Sequence, residues 1–201
     1  MSESISFIVP YRWLEDRAGR LENTLRQLGE LVRSPDEILV IVMPTNEIWC
    51  RAVAINRGVR AARNEWVCVT SIDMDWSGFN LERLRKYLVG DRFIEFPHPI
   101  PGRPDLEKGG DVTVFRRSTW ERLGGFDEDF KGWGWEDIDW RDRCREDGVE
   151  VFCAHDLPIP HIPHPVYTEA PYWVGQLKPF YEWKRAIRAE RRRWLEDLGL
   201  R

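Results

Sequence analysis

Three short runs of branched apolar residues, Ser4–Val9, Glu37–Met43 and Glu65–Ile72, do most to restrict the folds open to this chain. Each is too short to be a core helix, and they stop at Pro10, Pro44 and Asp73. Between the first two, Leu14, Leu21, Leu25, Leu28 and Val32 recur at helical spacing, which predicts an amphipathic helix over residues 17–33, stopped by Ser34-Pro35. Between the second and third, Val53, Ala54, Asn56, Gly58, Val59, Ala61 and Ala62 predict a helix over residues 49–63, small enough on one face to lie close on a sheet. Continuously apolar strands alternating with helices predict an α/β chain: a mostly parallel central sheet flanked by helices. Ligands of such sheets bind beyond the C-terminal strand ends, so Pro10-Tyr11-Arg12, Pro44 and Asp73-Met74-Asp75 mark the functional edge.

The remaining pattern predicts a helix over Asn80–Leu88, a strand over Arg92–Phe96, a strand over Val112–Phe115 after Gly109-Gly110, and a short helix over Ser118–Leu123. A turn at Gly124-Gly125-Phe126-Asp127, a helix over Asp137–Asp147 ended by Gly148, and a strand over Val149–Ala154 follow. Pro97 to Pro104 holds four prolines and is read as a loop without regular structure. Phe180, Trp183, Ile187, Trp194 and Leu198 line one face of a C-terminal helix whose other positions are rich in Arg and Lys. Exposing Phe180, Trp183, Ile187 and Trp194 would forgo about 1.5–3 kcal/mol each, so that face is expected to pack on its own domain, a second copy or a membrane surface. The expected organisation is one domain over residues 1–170 with this helix, residues 171–201, as an appendage.

Composition removes several classes of function. With 30 Lys plus Arg against 34 Asp plus Glu, the net charge of -4 argues against general nucleic-acid binding. No apolar run reaches the length of a membrane span and the N-terminus lacks a signal-peptide pattern, so a soluble cytoplasmic protein is expected. The four cysteines form no CxxC pair, which argues against a zinc knuckle or redox dithiol.

The stretch with most chemistry is Gly132-Trp133-Gly134-Trp135-Glu136-Asp137-Ile138-Asp139. Glycines allow unusual backbone angles, indoles offer sugar-stacking platforms, and adjacent part-buried carboxylates shift each other's pKa. It reads as an active-site lip; the plainer alternative is a capped helix start with acidic residues at the positive end of the dipole. Asp73 and Asp75, at the end of a central strand, suit a divalent cation shared with a bound phosphate, the alternative being a cap on the next helix. In His161-Ile162-Pro163-His164 the prolines extend the backbone and turn the imidazoles to different sides, so one of them is expected to face that cation. His161, stiffened by Pro160, is the choice.

Taken in order, these residues resemble the inverting GT-A glycosyltransferases, most closely the galactosyltransferase C-terminal family and bacterial family-2 relatives such as the chondroitin polymerases. Pro10-Tyr11-Arg12 is similar to that family's Pro-Phe-Arg opening, Arg51-Ala52 with Asn56 and Gly58 to its Arg-Ala…Asn-x-Gly helix, and Asp73-Met74-Asp75 to its DxD motif. Gly124–Asp127 through Asp139 is similar to its Gly-Phe…Trp-Gly-Trp-Gly-Gly-Glu-Asp-x-Asp signature. Trp135 departs from it, standing where the family has glycine, which implies a differently gated acceptor side.

The resemblance implies transfer of a hexose-type sugar from a UDP-sugar to a glycan or other hydroxyl acceptor, with Mn2+ or Mg2+. It implies a metal set drawn from Asp75, Asp73, His161 and His164, Asp75 with one histidine holding the ion and Asp73 at the ribose or outer shell. Donor contacts would come from Pro10, Tyr11, Arg12, Arg51, Asp73, Asp75, Gly110 and Trp133, and acceptor contacts from Trp135, Glu136 and Asp139. Asp137 would be the general base and Glu136 its catalytic neighbour. Two competing readings are a sugar nucleotidyltransferase, which needs a basic glycine-rich loop that Tyr11–Glu15 does not supply, and a non-catalytic sugar-nucleotide or glycan-binding module, in which a retained Asp137 would have no task.

Overall fold

The structure, a computed structural model, describes residues 3–13, 17–46, 49–100, 103–108, 111–132, 134–163 and 174–199. In chain order the elements are β1 (Ile5–Arg12), α1 (Ala18–Leu31), β2 (Glu37–Met43), α2 (Arg51–Ala61), β3 (Trp66–Val69), α3 (Leu81–Arg85) and β4 (Arg92–Glu95). There follow β5 (His98–Ile100), β6 (Arg103–Lys108), β7 (Thr113–Arg116), α4 (Arg117–Leu123), α5 (Glu136–Glu146), β8 (Glu150–Cys153) and α6 (Val174–Asp197). The central sheet has the order β2-β1-β3-β7-β4-β8. Its β1–β2, β1–β3 and β4–β8 pairings are parallel, while β7 runs against both β3 and β4. The expectation of a mostly parallel sheet between helices is met.

Alternation along β1 explains the two layers of core. Phe7, Val9 and Tyr11 face one side with Leu28 of α1 and Trp76, while Ile8 faces the other with Ala52, Ile55 and Val59 of α2. Gly58 lets α2 lie directly on the strand, since a Cβ there would come within 2.5 Å of the Ile8 Cγ2 atom. Each fully buried large apolar side chain in these layers contributes about 1.5–3 kcal/mol.

The proline-rich stretch corrects the sequence reading. β5 and β6 pair antiparallel as a two-stranded ribbon outside the main sheet, with an irregularity between Pro99 and Ile100. A two-stranded ribbon leaves each strand one unpaired edge, so prolines that would break a central strand are tolerated there.

The C-terminal helix meets the rest of the chain through Phe180 but otherwise by a face other than its apolar stripe. α6 turns Leu177, Tyr181, Lys184 and Arg188 inward, and Phe180 meets Phe130 with ring centroids 5.1 Å apart. Trp183, Ile187, Trp194 and Leu198 remain 56, 44, 60 and 52 % exposed. The docked face is largely ionic because its partners are acidic: Lys184 bonds Asp127 and Asp129 at 2.7 Å each, and Arg188 bonds Asp139 at 2.6 Å. Trp183→Ser and Trp194→Ser should each change stability by less than about 0.5 kcal/mol, whereas Leu177→Ala should cost about 2 kcal/mol or more. Chemical denaturation of the three variants checks this. Among the described residues no helix is long and apolar enough to cross a membrane.

Candidate active site

The C-terminal ends of β1 and β3, the first turn of α2 and the first turn of α5 surround one pocket. Pro10, Tyr11 and Arg12 line it from β1, Thr70 to Asp73 from the segment after β3, Arg51 from α2, and Gly134, Glu136 and Asp137 from the start of α5. It lies where parallel strands end, as the fold requires. Arg12 donates to the Thr45 carbonyl at 2.6 Å, and the buried Tyr11 hydroxyl has no hydrogen-bond partner among the described residues.

Arg51 organises the far wall. Its guanidinium donates to Glu136 Oε1 at 3.1 Å and to the Asp111 carbonyl at 2.9 Å, with only 16 % of its side chain exposed and 5 % of the glutamate's. Asp137 stands beside this pair. Burial and then the charge of Glu136 push its carboxyl up to about 7, against the pull of Arg51. A carboxyl poised there can accept a proton at neutral pH and release it again, which is what a general base needs.

The acidic segment after β3 is fixed from two sides. Arg20 of α1 donates to Asp73 Oδ1 at 3.0 Å and to the Pro163 carbonyl at 3.2 Å. Gln27, two helical turns further on, donates to Asp75 Oδ1 at 2.8 Å. On the other side Met74 and His161 form an antiparallel bridge, with Asp75 N–H donating to the Pro160 carbonyl and Ile162 N–H to the Asp73 carbonyl. Asp73 lines the pocket; Asp75 does not, and bonds from Ser77, against a contribution from burial and aided by Gln27, hold its carboxyl below the usual range. The bridge brings the His161 backbone alongside Asp73-Met74-Asp75. His164, Trp133 and Gly110 lie outside the described residues.

No three His, Cys, Asp or Glu side chains among the described residues converge as a ready-made metal centre. The donor chemistry at Asp73 still fits a divalent ion that takes one or two carboxylates and completes its shell with substrate phosphate oxygens.

Asp139 is corrected. It is fully buried and paired with Arg143 at 2.8 Å and Arg188 at 2.6 Å, so it ties α5 to α6 and makes no part of the pocket wall. Trp135 is half-buried at the N-terminus of α5, its ring centroid 5.1 Å from that of Tyr181. Its backbone is left-handed, φ 73°, a conformation that costs a non-glycine residue about 1–2 kcal/mol. The Asn56…Gly58 motif is architectural: the Asn56 amide donates to the Phe126 carbonyl and accepts from Phe126 N–H and Trp120 Nε1. Those bonds fix the Gly124-Gly125 turn that leads to α5, and a Cβ at Gly125 would lie 2.7 Å from Trp120 Nε1.

Sequence reasoning missed Asp111, Arg17 and Trp49 in the wall, and the Arg20 and Gln27 supports. Asp111 could have been found, following Gly109-Gly110 at the mouth of a strand. For Arg20 and Gln27 the only signal is that they share a face of α1.

Comparison with known proteins gives the fold its name. Residues 103–165 match the sequence model of a family described as the N-terminal domain of galactosyltransferase. Chondroitin sulfate synthase 3 of Homo sapiens and that of Mus musculus are each 33 % identical over 61 residues, 30 % of this chain and 7 % of either relative, so the chain spans a small part of their length. A structure of a Drosophila β1,4-galactosyltransferase 7 mutant, in complex with manganese, UDP-Gal and xylobiose, superposes with a TM-score of 0.67 at 18 % identity, over 89 % of this chain and 79 % of that one. The mannosyltransferase PcManGT of Pyrobaculum calidifontis, in complex with GDP-Man and Mn2+, superposes at 0.56 and 19 % identity, over 81 % of this chain and 58 % of that one. The chain has the GT-A glycosyltransferase fold.

Proposed function

We propose that the protein transfers a hexose-type sugar from a UDP-sugar to a hydroxyl of a glycan or similar acceptor, with inversion. The observation that carries this reading is the Glu136–Asp137 pair, held by Arg51 in a pocket that also contains Asp73. The likeness to structures that hold UDP-Gal or GDP-Man with manganese supports it.

In this reaction an acceptor hydroxyl attacks the anomeric carbon, the bond to the diphosphate oxygen breaks with its electron pair leaving on UDP, and the hydroxyl proton passes to Asp137. The raised carboxyl of Asp137 suits that step, because a carboxylate with an ordinary pKa would be a poor proton acceptor. Glu136, fixed by Arg51, orients the acceptor beside it. Arg12 and Arg51 place positive charge toward the nucleotide, and the Tyr11 hydroxyl, which lines the same pocket, offers it a hydrogen bond. A divalent ion, Mn2+ or Mg2+, would be held by Asp73, with substrate phosphate oxygens completing its shell, and would supply charge neutralisation to the leaving diphosphate.

A coupled assay for UDP release, with proton NMR of the product's anomeric centre, tests the reading. Release of UDP with inversion is expected; UDP binding without turnover would instead make the protein a binding module. Removal of metal is expected to weaken UDP binding by about tenfold or more, since Asp73 would then face the diphosphate with like charge. Calorimetry with manganese and then with EDTA measures it, and Asp73→Asn should shrink the difference between the two conditions.

A further inference from the structure

We propose that Tyr181 is a positioning residue for the carboxylate pair: its ring, carried in by α6, holds Trp135 in the left-handed conformation from which Glu136 and Asp137 enter the pocket. The functional part of this rests on the glycosyl-transfer reading.

Trp135 is the one non-glycine among the described residues with a positive φ, 73° with ψ -15°. A bulky residue keeps such a conformation only where its surroundings over-determine it. The same torsion begins the helix, because the Trp135 carbonyl accepts the Asp139 N–H at 2.9 Å. Were Trp135 to relax to a negative φ, the first turn of α5, with Glu136 and Asp137 on it, would swing or fray.

Tyr181 is placed to prevent that. It is 6 % exposed, and its ring tilts 31° from the Trp135 indole with centroids 5.1 Å apart. Its hydroxyl donates to Asp142 Oδ2. Asp142 stands seven residues after Trp135, two turns along the same face of α5, so one side chain is anchored at the further turn and lies against the nearer. The rest of α6 has its own anchors in Lys184 with Asp127 and Asp129, and Arg188 with Asp139. Loss of the Tyr181 ring therefore leaves the helix docked and removes the clamp alone.

The test uses the full chain with Tyr181→Leu, Tyr181→Met and Tyr181→Phe, each alone and combined with Trp135→Gly. Hydrogen exchange at the Asp139 amide, which the Trp135 carbonyl holds, should accelerate about tenfold in Tyr181→Leu and Tyr181→Met, with the amides of α2 unchanged. Tyr181→Phe, which keeps the ring, should stay within about twofold. Glycine adopts positive φ without strain, so in the Trp135→Gly background the same substitutions should add nothing. In turnover, Tyr181→Leu should lower kcat about tenfold with the donor KM unchanged, and Tyr181→Phe should restore it. Wild-type exchange at the Asp139 amide in both non-aromatic variants, or full additivity with Trp135→Gly, would overturn the proposal. Because exchange needs no substrate, it decides the clamp separately from the UDP-release assay, which decides the function.

Discussion

Asp137→Asn is expected to lower turnover by about 10²- to 10⁴-fold while leaving UDP affinity within a factor of a few, the usual loss for a positioned base. The amide keeps the shape of the carboxyl but cannot take the acceptor's proton, and Arg12 and Asp73, the residues proposed to meet the nucleotide, are on other walls of the pocket. The wild-type rate should rise with pH through about 7, as the Asp137 carboxyl ionises, and that limb should vanish in the variant. Stability gives an independent check with a defined sign. The folded carboxyl titrates near 7 and the unfolded one near 3.8, so between these values the native state holds the extra proton and stability falls as pH rises. Asp137→Asn, with no charge to bury, should escape that decline. Its stability relative to wild type should improve from about pH 4 to about pH 7 and level off above. Denaturant midpoints across that range measure it. A variant that turns over at the wild-type rate places the base elsewhere.

How much of this could be read from residue order follows from what each signal reports. Apolar runs report burial on both faces, so β1, β2 and β3 and the pocket edge at Pro10 and Asp73 were legible, as was the start of α5 at the acidic pair. Proline reports only that an N–H is missing, which does not separate a loop from a two-stranded ribbon, and the β5–β6 pair was lost for that reason. Asp139 entered the acceptor set through the resemblance of the Glu-Asp-x-Asp signature, yet two residues along a helix from Asp137 is 200° of rotation and turns the carboxylate to Arg143 and Arg188. For α6 the apolar stripe did not report the face docked on this chain, since apart from Phe180 it stays exposed. The acidic surface of Asp127, Asp139 and Asp142 selects Lys184, Arg188 and Tyr181 instead, and which surface a helix will meet is a long-range fact. The residue type gave no sign of a left-handed tryptophan, since nothing about the side chain favours that conformation and its neighbours maintain it; the one signal was that Trp135 stands where the resembled family has glycine.

Arg51→Met is expected to cost about 3–5 kcal/mol of stability, the largest loss from any single substitution at the site. The guanidinium is the shared partner of Glu136 and of the Asp111 carbonyl, and Glu136 has 5 % of its side chain exposed. Removing the cation leaves a buried carboxylate and a carbonyl without their donor, and methionine fills much of the volume but offers neither charge nor hydrogen bond. Arg51→Lys keeps the charge but cannot fork to both acceptors, so it should fall between. Glu136→Gln in the Arg51→Met background should recover part of the loss, because the uncompensated charge is then gone and the two effects do not add. The deficit should also depend on pH. Arg51 is the group that pulls the Asp137 carboxyl down, so without it that carboxyl rises further above its unfolded value. A group displaced in that direction contributes stability at low pH and loses it as pH rises, so Arg51→Met should be least damaging near pH 4 to 5 and most damaging above about 7. Urea unfolding at pH 5 and pH 8 decides it, and a deficit equal at both would mean that Arg51 holds the pocket by packing and not by charge.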